Sequence, residues 1–469
     1  MVSIHNFFVL RNRAANIPTV IVPGFVKAGK YEPGDLIGDG AYDTWCAVHV
    51  DGSWQVIHPV WVCLGTYGPE RHGKVQIEDD PFIAAKDEQY TKKNNSDKKL
   101  NDEFFMPRPD VYIYKCYAKD EQWRLITQDR NLRSLDEFMR LGYFSSTFFK
   151  LGLTLLSQPL CVQTSINGVV HIVILAPSMY SHKLNMDFKL EYDTSNQEQN
   201  GQQQFKPSKQ QALLLHKKVL RRLVVNYRSN DRFIFEVRLP VPGSYKFDIV
   251  GGFGSELSNL CRFKLITNDH IGEWFINACD PRRGCWGPGP SAEDVGLLLP
   301  SKPSGLLSIQ PQSHSGVLRD RSVYHHLTTI QFTISKALYR KYEFSADVIP
   351  SILINKSNIE PHISSSGEIK ADIVLQKARS KGDEVDTDAY PVRVQCSTDH
   401  ASRQITFQII GRMDGGECTV VVTATEMEIK NSMRMPIKNS TKSVCFYLLT
   451  ANNVFYREVR IRLIVKLDI

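Results

Sequence analysis

The sequence predicts an α+β chain, with a small mixed domain at the N-terminus followed by two antiparallel β-sandwich modules. Three observations carry this. Ile4 to Ala15 shows a helical apolar pattern that runs into a β-branched stretch, Thr19 to Val22. Phe233, Phe235, Val237 and Leu239 alternate with polar partners, and after a Pro242-Gly243 turn Tyr245, Phe247 and Ile249 alternate again. Far downstream Ile405, Phe407 and Ile409 repeat the pattern, followed by an Asp414-Gly415-Gly416 turn and β-branched residues from Thr419 to Thr423.

Within the first helix, Ile4, Phe7, Phe8 and Leu10 fall roughly on one side and are expected to be its buried face. Asn16 stands where the helix should end. Thr19 to Val22 reads as a short buried strand, and Pro23-Gly24 and Pro33-Gly34 punctuate the loops beyond it. The next stretch, Asp43 to Trp61, contains Asp51-Gly52, a strong signal for a two-residue hairpin turn. Pairing outward from that turn sets Val50 against Ser53, His49 against Trp54, Ala47 against Val56 and Trp45 against His58. Alternation then places Asp43, Trp45, Ala47 and His49 on one face with Trp54, Val56 and His58, so Asp43 lies diagonal to His58, about 7 Å away along the backbone. Cys46 falls on the opposite face, and Cys63 is expected on the exit strand or loop past Trp61.

The expected domains are 1–85, then a charged linker at 86–103 (KDEQYTKKNNSDKKLNDE from Lys86), then β modules at 104–280 and 281–469. The first module carries a Gln/Asn-rich surface insertion at 192–211. The second begins in the Gly/Pro-dense stretch GCWGPGPSAEDVG. Each alternating hairpin is followed by a strand that opens on a cysteine, CRFKLI from Cys261 and CFYLLT from Cys445, as though one β unit were used twice.

Composition narrows the function. Of 469 residues, 42% are hydrophobic and 23% charged, which excludes global disorder. The net charge of +7 is thin and scattered for this length, so a dedicated nucleic-acid binder is not expected. No apolar run approaches the roughly 18 residues that a membrane span requires. Ten cysteines without a CxxC pair, behind an N-terminus that makes a poor secretory signal, read as reduced thiols of a cytoplasmic protein. Cys279 and Cys285 have the wrong spacing for a zinc knuckle, and neither a metal nor a cofactor is expected. The basic cluster from His216 to Arg222 reads as a solvated face beside an apolar one. Gly251-Gly252-Phe253-Gly254 lacks the Lys-Ser/Thr of a phosphate cradle and is expected to be a loop.

The Asp43 to Trp61 stretch resembles the transglutaminase-like, papain-type cysteine enzymes, specifically the kyphoscoliosis peptidase and hillarin group. Trp45, the turn from Val48 to Gly52, Trp54 and Pro59-Val60-Trp61 fit the group's frame. So do Ala15-Asn16-Ile17, the loop Val22-Pro23-Gly24-Phe25-Val26-Lys27, Tyr31 and Gly34. Farther on, Phe105 with Arg108-Pro109, Trp123-Arg124-Leu125, Phe148-Phe149, Leu239-Pro240 with Gly243 and Tyr245, and Trp286-Gly287-Pro288-Gly289 resemble its C-terminal modules. The resemblance implies a partial transglutaminase-like domain lacking its N-terminal part, followed by two immunoglobulin-like modules.

The triad positions implied by this resemblance are changed. The group's histidine position holds Asp43, its aspartate position holds His58, and its cysteine position falls at about Met1. A cysteine nucleophile works as a thiolate, helped by a neighbouring imidazole, and a neighbouring carboxylate opposes it. The expected function is therefore a non-catalytic cytoplasmic scaffold or adaptor, with cytoskeletal protein partners implied by the resemblance. The alternative is a cysteine peptidase or acyl transferase whose nucleophile-bearing N-terminus is missing from this chain.

Overall fold

The computed structural model describes residues 4–27, 31–35, 42–63, 104–124, 134–194, 209–254, 256–268, 273–277, 279–281, 285–309, 325–355, 392–411, 417–430 and 433–451. The expected linker at 86–103, the Asp414-Gly415-Gly416 turn, and the expected insertion between 195 and 208 lie outside these residues. The chain divides into two compact units, Met1–Gln163 with Lys246–Ile266, and Thr164–Tyr245 with Thr267–Ile469.

In the first unit, helix α1 (Ile4–Ala14) precedes strands β1 (Thr19–Val26), β2 (Tyr42–Val50) and β3 (Ser53–Ile57). The short helix α2 (Pro59–Cys63) and strand β4 (Cys116–Ala118) follow, and the sheet runs β3-β2-β1-β4. Helix α1 stops at Asn16, whose φ of 59° takes the left-handed conformation that asparagine tolerates. The Ile17 amide reaches back to the Asn12 carbonyl (2.8 Å) and the Asn16 amide to that of Arg13 (3.0 Å), closing the helix in a Schellman motif.

The buried face of α1 differs from expectation. His5 and Val9 are buried and Phe8 packs on the core, while Ile4, Phe7 and Leu10 are 53%, 54% and 61% exposed. Residues 5, 8, 9 and 12 form an i, i+3, i+4, i+7 stripe as good as the one beginning at Ile4. Phe8 belongs to both stripes, and a histidine inside the buried one hides it from an apolar pattern.

The hairpin forms in the expected register, with Val50 opposite Ser53, His49 opposite Trp54 and Ala47 opposite Val56. Asp51 and Gly52 both have positive φ, as a primed turn requires. Pro59 opens helix α2 at its first position, where a missing amide costs nothing, so Cys63 closes a helical turn and does not lie on an exit strand or loop. Gly24 in β1 is fixed by close approach. A Cβ there would sit 2.3 Å from the Trp45 ring and 2.3 Å from the Tyr117 carbonyl oxygen. Trp45, Val56, Trp61, Phe104 and Tyr112 fill the core beneath.

Also in this unit, the Gly251-Gly252-Phe253 stretch continues the strand Gly243–Phe253, so the expected loop is delayed to Gly254. A Cβ at Gly252 would meet the Glu256 carbonyl oxygen at 2.2 Å, so these glycines serve close backbone packing.

The second unit is mostly antiparallel β. Val224–Ser229, Arg232–Arg238 and Val169–Leu175 pair in sequence across one sheet. The alternating Phe233, Phe235 and Val237 all point into the core. The buried Tyr245 hydroxyl accepts from the Val241 amide (3.1 Å) and donates to the Val241 carbonyl (2.5 Å), a tyrosine corner of the kind found in immunoglobulin-like sandwiches.

Farther along the same unit two sheets face each other. One joins Leu297–Leu298, His325–Ile334, Gln404–Gly411 and Arg393–Asp399. The other joins Leu306–Ile309, Lys442–Ala451, Glu417–Lys430 and Tyr342–Pro350. Ile330, Phe332, Phe407, Val420, Val422 and Tyr447 pack between them. Trp286, from the Gly/Pro-dense stretch, is buried, its amide donates to Asn226 (2.7 Å), and the Gly287 amide donates to Phe446 (2.6 Å).

Candidate functional site

Three elements of the first unit converge on one point. Strand β2 presents Asp43 near its start. His58 stands at the junction of β3 and α2, where its amide donates to the Phe104 carbonyl (3.0 Å) and its own carbonyl accepts from the Val62 amide (3.0 Å). Both backbone groups are thereby fixed, and the ring is fully buried while Asp43 keeps 34% of its side chain exposed.

The structure brings the two predicted site residues together. His58 Nε2 lies 3.3 Å from Asp43 Oδ2, a close polar contact that lacks the alignment of a full hydrogen bond. The carboxylate is held from the other side. The Trp61 indole N–H donates to Oδ2 (3.1 Å), and the Thr44 amide donates to Oδ1 (2.7 Å). Trp61 also meets the His58 ring edge-on at 5.6 Å. Met1 lies outside the described residues.

Helix α1 adds a residue that the sequence reading did not single out. His5 points to the same spot, its ring centroid 5.6 Å from that of His58 at an angle of 72°. Its Nδ1 is 3.5 Å from Thr44 Oγ1, and its buried Nε2 has no hydrogen-bond partner among the described residues. Among the described residues, both ring nitrogens of His58 are likewise buried without a hydrogen bond. The signal for His5 was helical spacing: it stands three and four residues before Phe8 and Val9, on the face that they bury.

The local field is mixed. Burial raises the Asp43 carboxyl, but the contact with His58, the Thr44 amide and the Trp61 indole together hold it below the usual carboxylate range. Burial and repulsion from His58 pull His5 down, with Asp43 opposing in part. The result is an anion flanked by two imidazoles. Cys46 faces away, has no solvent exposure, and is pushed by burial up to about 12, where it holds essentially no thiolate at neutral pH.

Other features singled out in the sequence fall elsewhere. In the basic cluster Val219 and Leu220 are buried, and Arg221 pairs with Asp187 (2.9 Å) and Asp280 (2.8 Å), so this cation is already engaged within the fold. Lys27, from the loop matched to the family, is buried. Its Nζ donates to the Leu141 carbonyl (2.8 Å) and sits over the Phe138 ring, and burial lowers it to about 7.

A mostly β fold with a tyrosine corner, preceded by a helix and hairpin that hold an Asp-His pair, defines the class of protein. Comparison with known proteins specifies it. A family model described as KY-like, immunoglobulin-like domain matches residues 135–274. The Lim and transglutaminase domain protein ltd-1 of Caenorhabditis elegans is 24% identical over 325 residues, covering 65% of this chain and 39% of its own length. Hillarin of Drosophila melanogaster is 24% identical over 310 residues, covering 63% and 34%. Kyphoscoliosis peptidase of Mus musculus is 23% identical over 175 residues, covering 37% and 22%.

The chain is thus a distant homologue of kyphoscoliosis peptidase, hillarin and ltd-1, and it contains a KY-like immunoglobulin-like domain. It spans less than two fifths of the length of these relatives. Among solved structures, the tandem Ig repeats of Dlar cover 64% of the chain and 97% of their own at 10% identity and a TM-score of 0.14, a likeness that carries no argument.

Proposed function

We propose that the N-terminal helix and hairpin belong to a catalytically degenerate transglutaminase-like domain, and that the chain acts in the cytoplasm as a non-enzymatic scaffold or adaptor. One observation carries this reading: the carboxylate of Asp43 and the imidazole of His58 stand in the reverse of the order that thiol chemistry needs. A nucleophilic cysteine is activated by an imidazole beside it and a carboxylate behind that imidazole. Here the more exposed member of the pair is the anion, and the imidazole is wholly buried behind it. An anion next to a thiol raises its pKa and disfavours the attacking species. The pair retains a structural role in holding β2 to the start of α2.

The partner class, cytoskeletal proteins, rests on the resemblance in sequence. The adaptor role is supported by exposed apolar side chains on a β hairpin of the second unit, where Ile429 and Met433 stand at the tip between Glu417–Lys430 and Met433–Pro436. Such a strand pair offers both side chains and an edge for strand addition.

The test is labelling of the native chain with a thiol-directed electrophile at neutral pH, read by peptide mass spectrometry. No cysteine of the first unit is expected to react faster than a free model thiol. Rapid labelling of a single one would overturn the non-catalytic reading. Co-sedimentation with actin filaments tests the partner class separately. The chain is expected in the pellet, and its retention in the supernatant would remove the cytoskeletal assignment alone.

A further inference from the structure

We propose that His5, Asp43 and His58 form a binding site for one divalent cation of the zinc class. The inference is independent of the scaffold reading and rests on the geometry of three side chains. One ligand atom from each lies within 4.8 Å of those of the other two. Two of the three residues are buried histidines, and three of their ring nitrogens have no hydrogen-bond partner among the described residues. A buried polar atom left unpaired typically costs about 1–3 kcal/mol, so three in one place call for a partner. A cation accepting lone pairs from both rings would satisfy the nitrogens that face the centre.

The distances suit such an ion. Tetrahedral zinc with nitrogen and oxygen ligands at about 2.0–2.1 Å sets the ligand atoms about 3.3 Å apart. The His58 Nε2 to Asp43 Oδ2 separation is already 3.3 Å. The wider separations, up to 4.8 Å, need to close by about 1.5 Å to reach that tetrahedral edge, a modest swing of the His5 ring on α1.

The donor set selects the class of cation. Two imidazoles and one carboxylate suit zinc, cobalt or ferrous iron, whereas calcium and magnesium take oxygen ligands. Three protein ligands leave a fourth position for water. Supporting contacts are present around the carboxylate. The Trp61 indole and the Thr44 amide fix the carboxylate, as outer-shell groups do around metal ligands. The ligands spring from a capped helix, a paired strand and a strand-to-helix junction, all of which hold their backbones in place. The exposed part of Asp43 provides a route for entry.

The experiment uses the untagged full chain, dialysed against zinc and then exhaustively against zinc-free buffer, with the retained metal measured by mass spectrometry. One zinc per chain is expected. His5→Gln and Asp43→Asn should each weaken retention by at least about tenfold, since loss of an outer-shell group alone costs 10- to 100-fold. His49→Gln, which removes a histidine that meets Trp54 edge-on and lies outside the cluster, should leave it unchanged.

A second measurement does not depend on variants that fold. The cobalt-loaded wild-type chain should show the visible bands of a four- or five-coordinate nitrogen/oxygen site, and two exchangeable, hyperfine-shifted imidazole N–H resonances. Substoichiometric zinc in the wild type, full retention in a folded His5→Gln chain, or a cobalt–thiolate charge-transfer band would each overturn the proposal.

Discussion

The guanidinium of Arg238 meets the carboxylate of Glu417 through two parallel hydrogen bonds, 2.8 Å from one nitrogen and 2.7 Å from the other, with both side chains buried. The residues are 179 positions apart, so the pair ties the strand Arg232–Arg238 to the strand Glu417–Lys430. Arg238 also donates to Glu236 at 2.9 and 2.8 Å. Burying a guanidinium is tolerated only with this degree of pairing.

Removing one partner should therefore be costly. Arg238→Met leaves the Glu417 carboxylate buried without its partner, and a loss of about 3–5 kcal/mol is expected in denaturant unfolding. Replacing both, Arg238→Met with Glu417→Leu, should recover most of that loss, because the desolvation penalty disappears with the charges. A single variant that costs less than about 1 kcal/mol, the worth of an exposed ion pair, would show that the site is solvated.

Glu236 makes stability depend on acid. Burial favours its neutral form, but contacts with His171 and Arg238 outweigh this and hold its carboxyl at about 2, against an ordinary 4.5. A depressed native pKa means that the unfolded chain takes up the proton first. The stabilisation is thus complete above pH 4.5 and is lost as pH falls from there toward 2. The shift corresponds to about 3 kcal/mol at most. In urea titrations between pH 6 and pH 2.5, the wild type should lose more stability than Glu236→Gln. Parallel curves for the two proteins would sink the assignment.

Much of this architecture was readable because local chemistry and global packing agree. Asp51-Gly52 permits one register, and that register alone places Asp43 diagonal to His58. The alternation around Phe235 and Phe407 survives because each strand has one buried face. What could not be read depends on which of two equivalent helix stripes meets the sheet. Phe8 fits either one, so the rotation of α1 is decided by packing, and His5 emerges only once that rotation is known. The helix at Pro59–Cys63 was hidden for a similar reason. Proline opens a helix as readily as it ends a strand, and five residues carry no clear period. The burial of Trp286 was obscured by its neighbours, since a Gly/Pro-dense stretch carries no period that would mark a core side chain.

Gly24 links the fold to the site, because its missing side chain leaves room for the ring of Trp45, a residue of the hairpin that holds Asp43. With a Cβ 2.3 Å from both the Trp45 ring and the Tyr117 carbonyl, Gly24→Ala must displace either a buried indole or the backbone of β4. Neither moves freely. Trp45 is only 1% exposed and is met edge-on by Tyr112 at 5.9 Å, while the neighbouring backbone is fixed by pairing of β1 with β4. Overpacking of this kind costs about 1–3 kcal/mol, and more where backbone must yield. Since Trp45 lies two residues from Asp43 on the same face, the displacement should also spread to the His58 contact. The expected result is a lower unfolding midpoint in Gly24→Ala, together with shifted imidazole resonances of His58. Gly52→Ala is the control, since no atom lies within 4 Å of the added Cβ. Its cost should be confined to the strained positive φ of the turn, leaving the His58 resonances in place. Equal shifts of those resonances in both variants would mean that the close approach at Gly24 does not set the geometry of the Asp43–His58 pair.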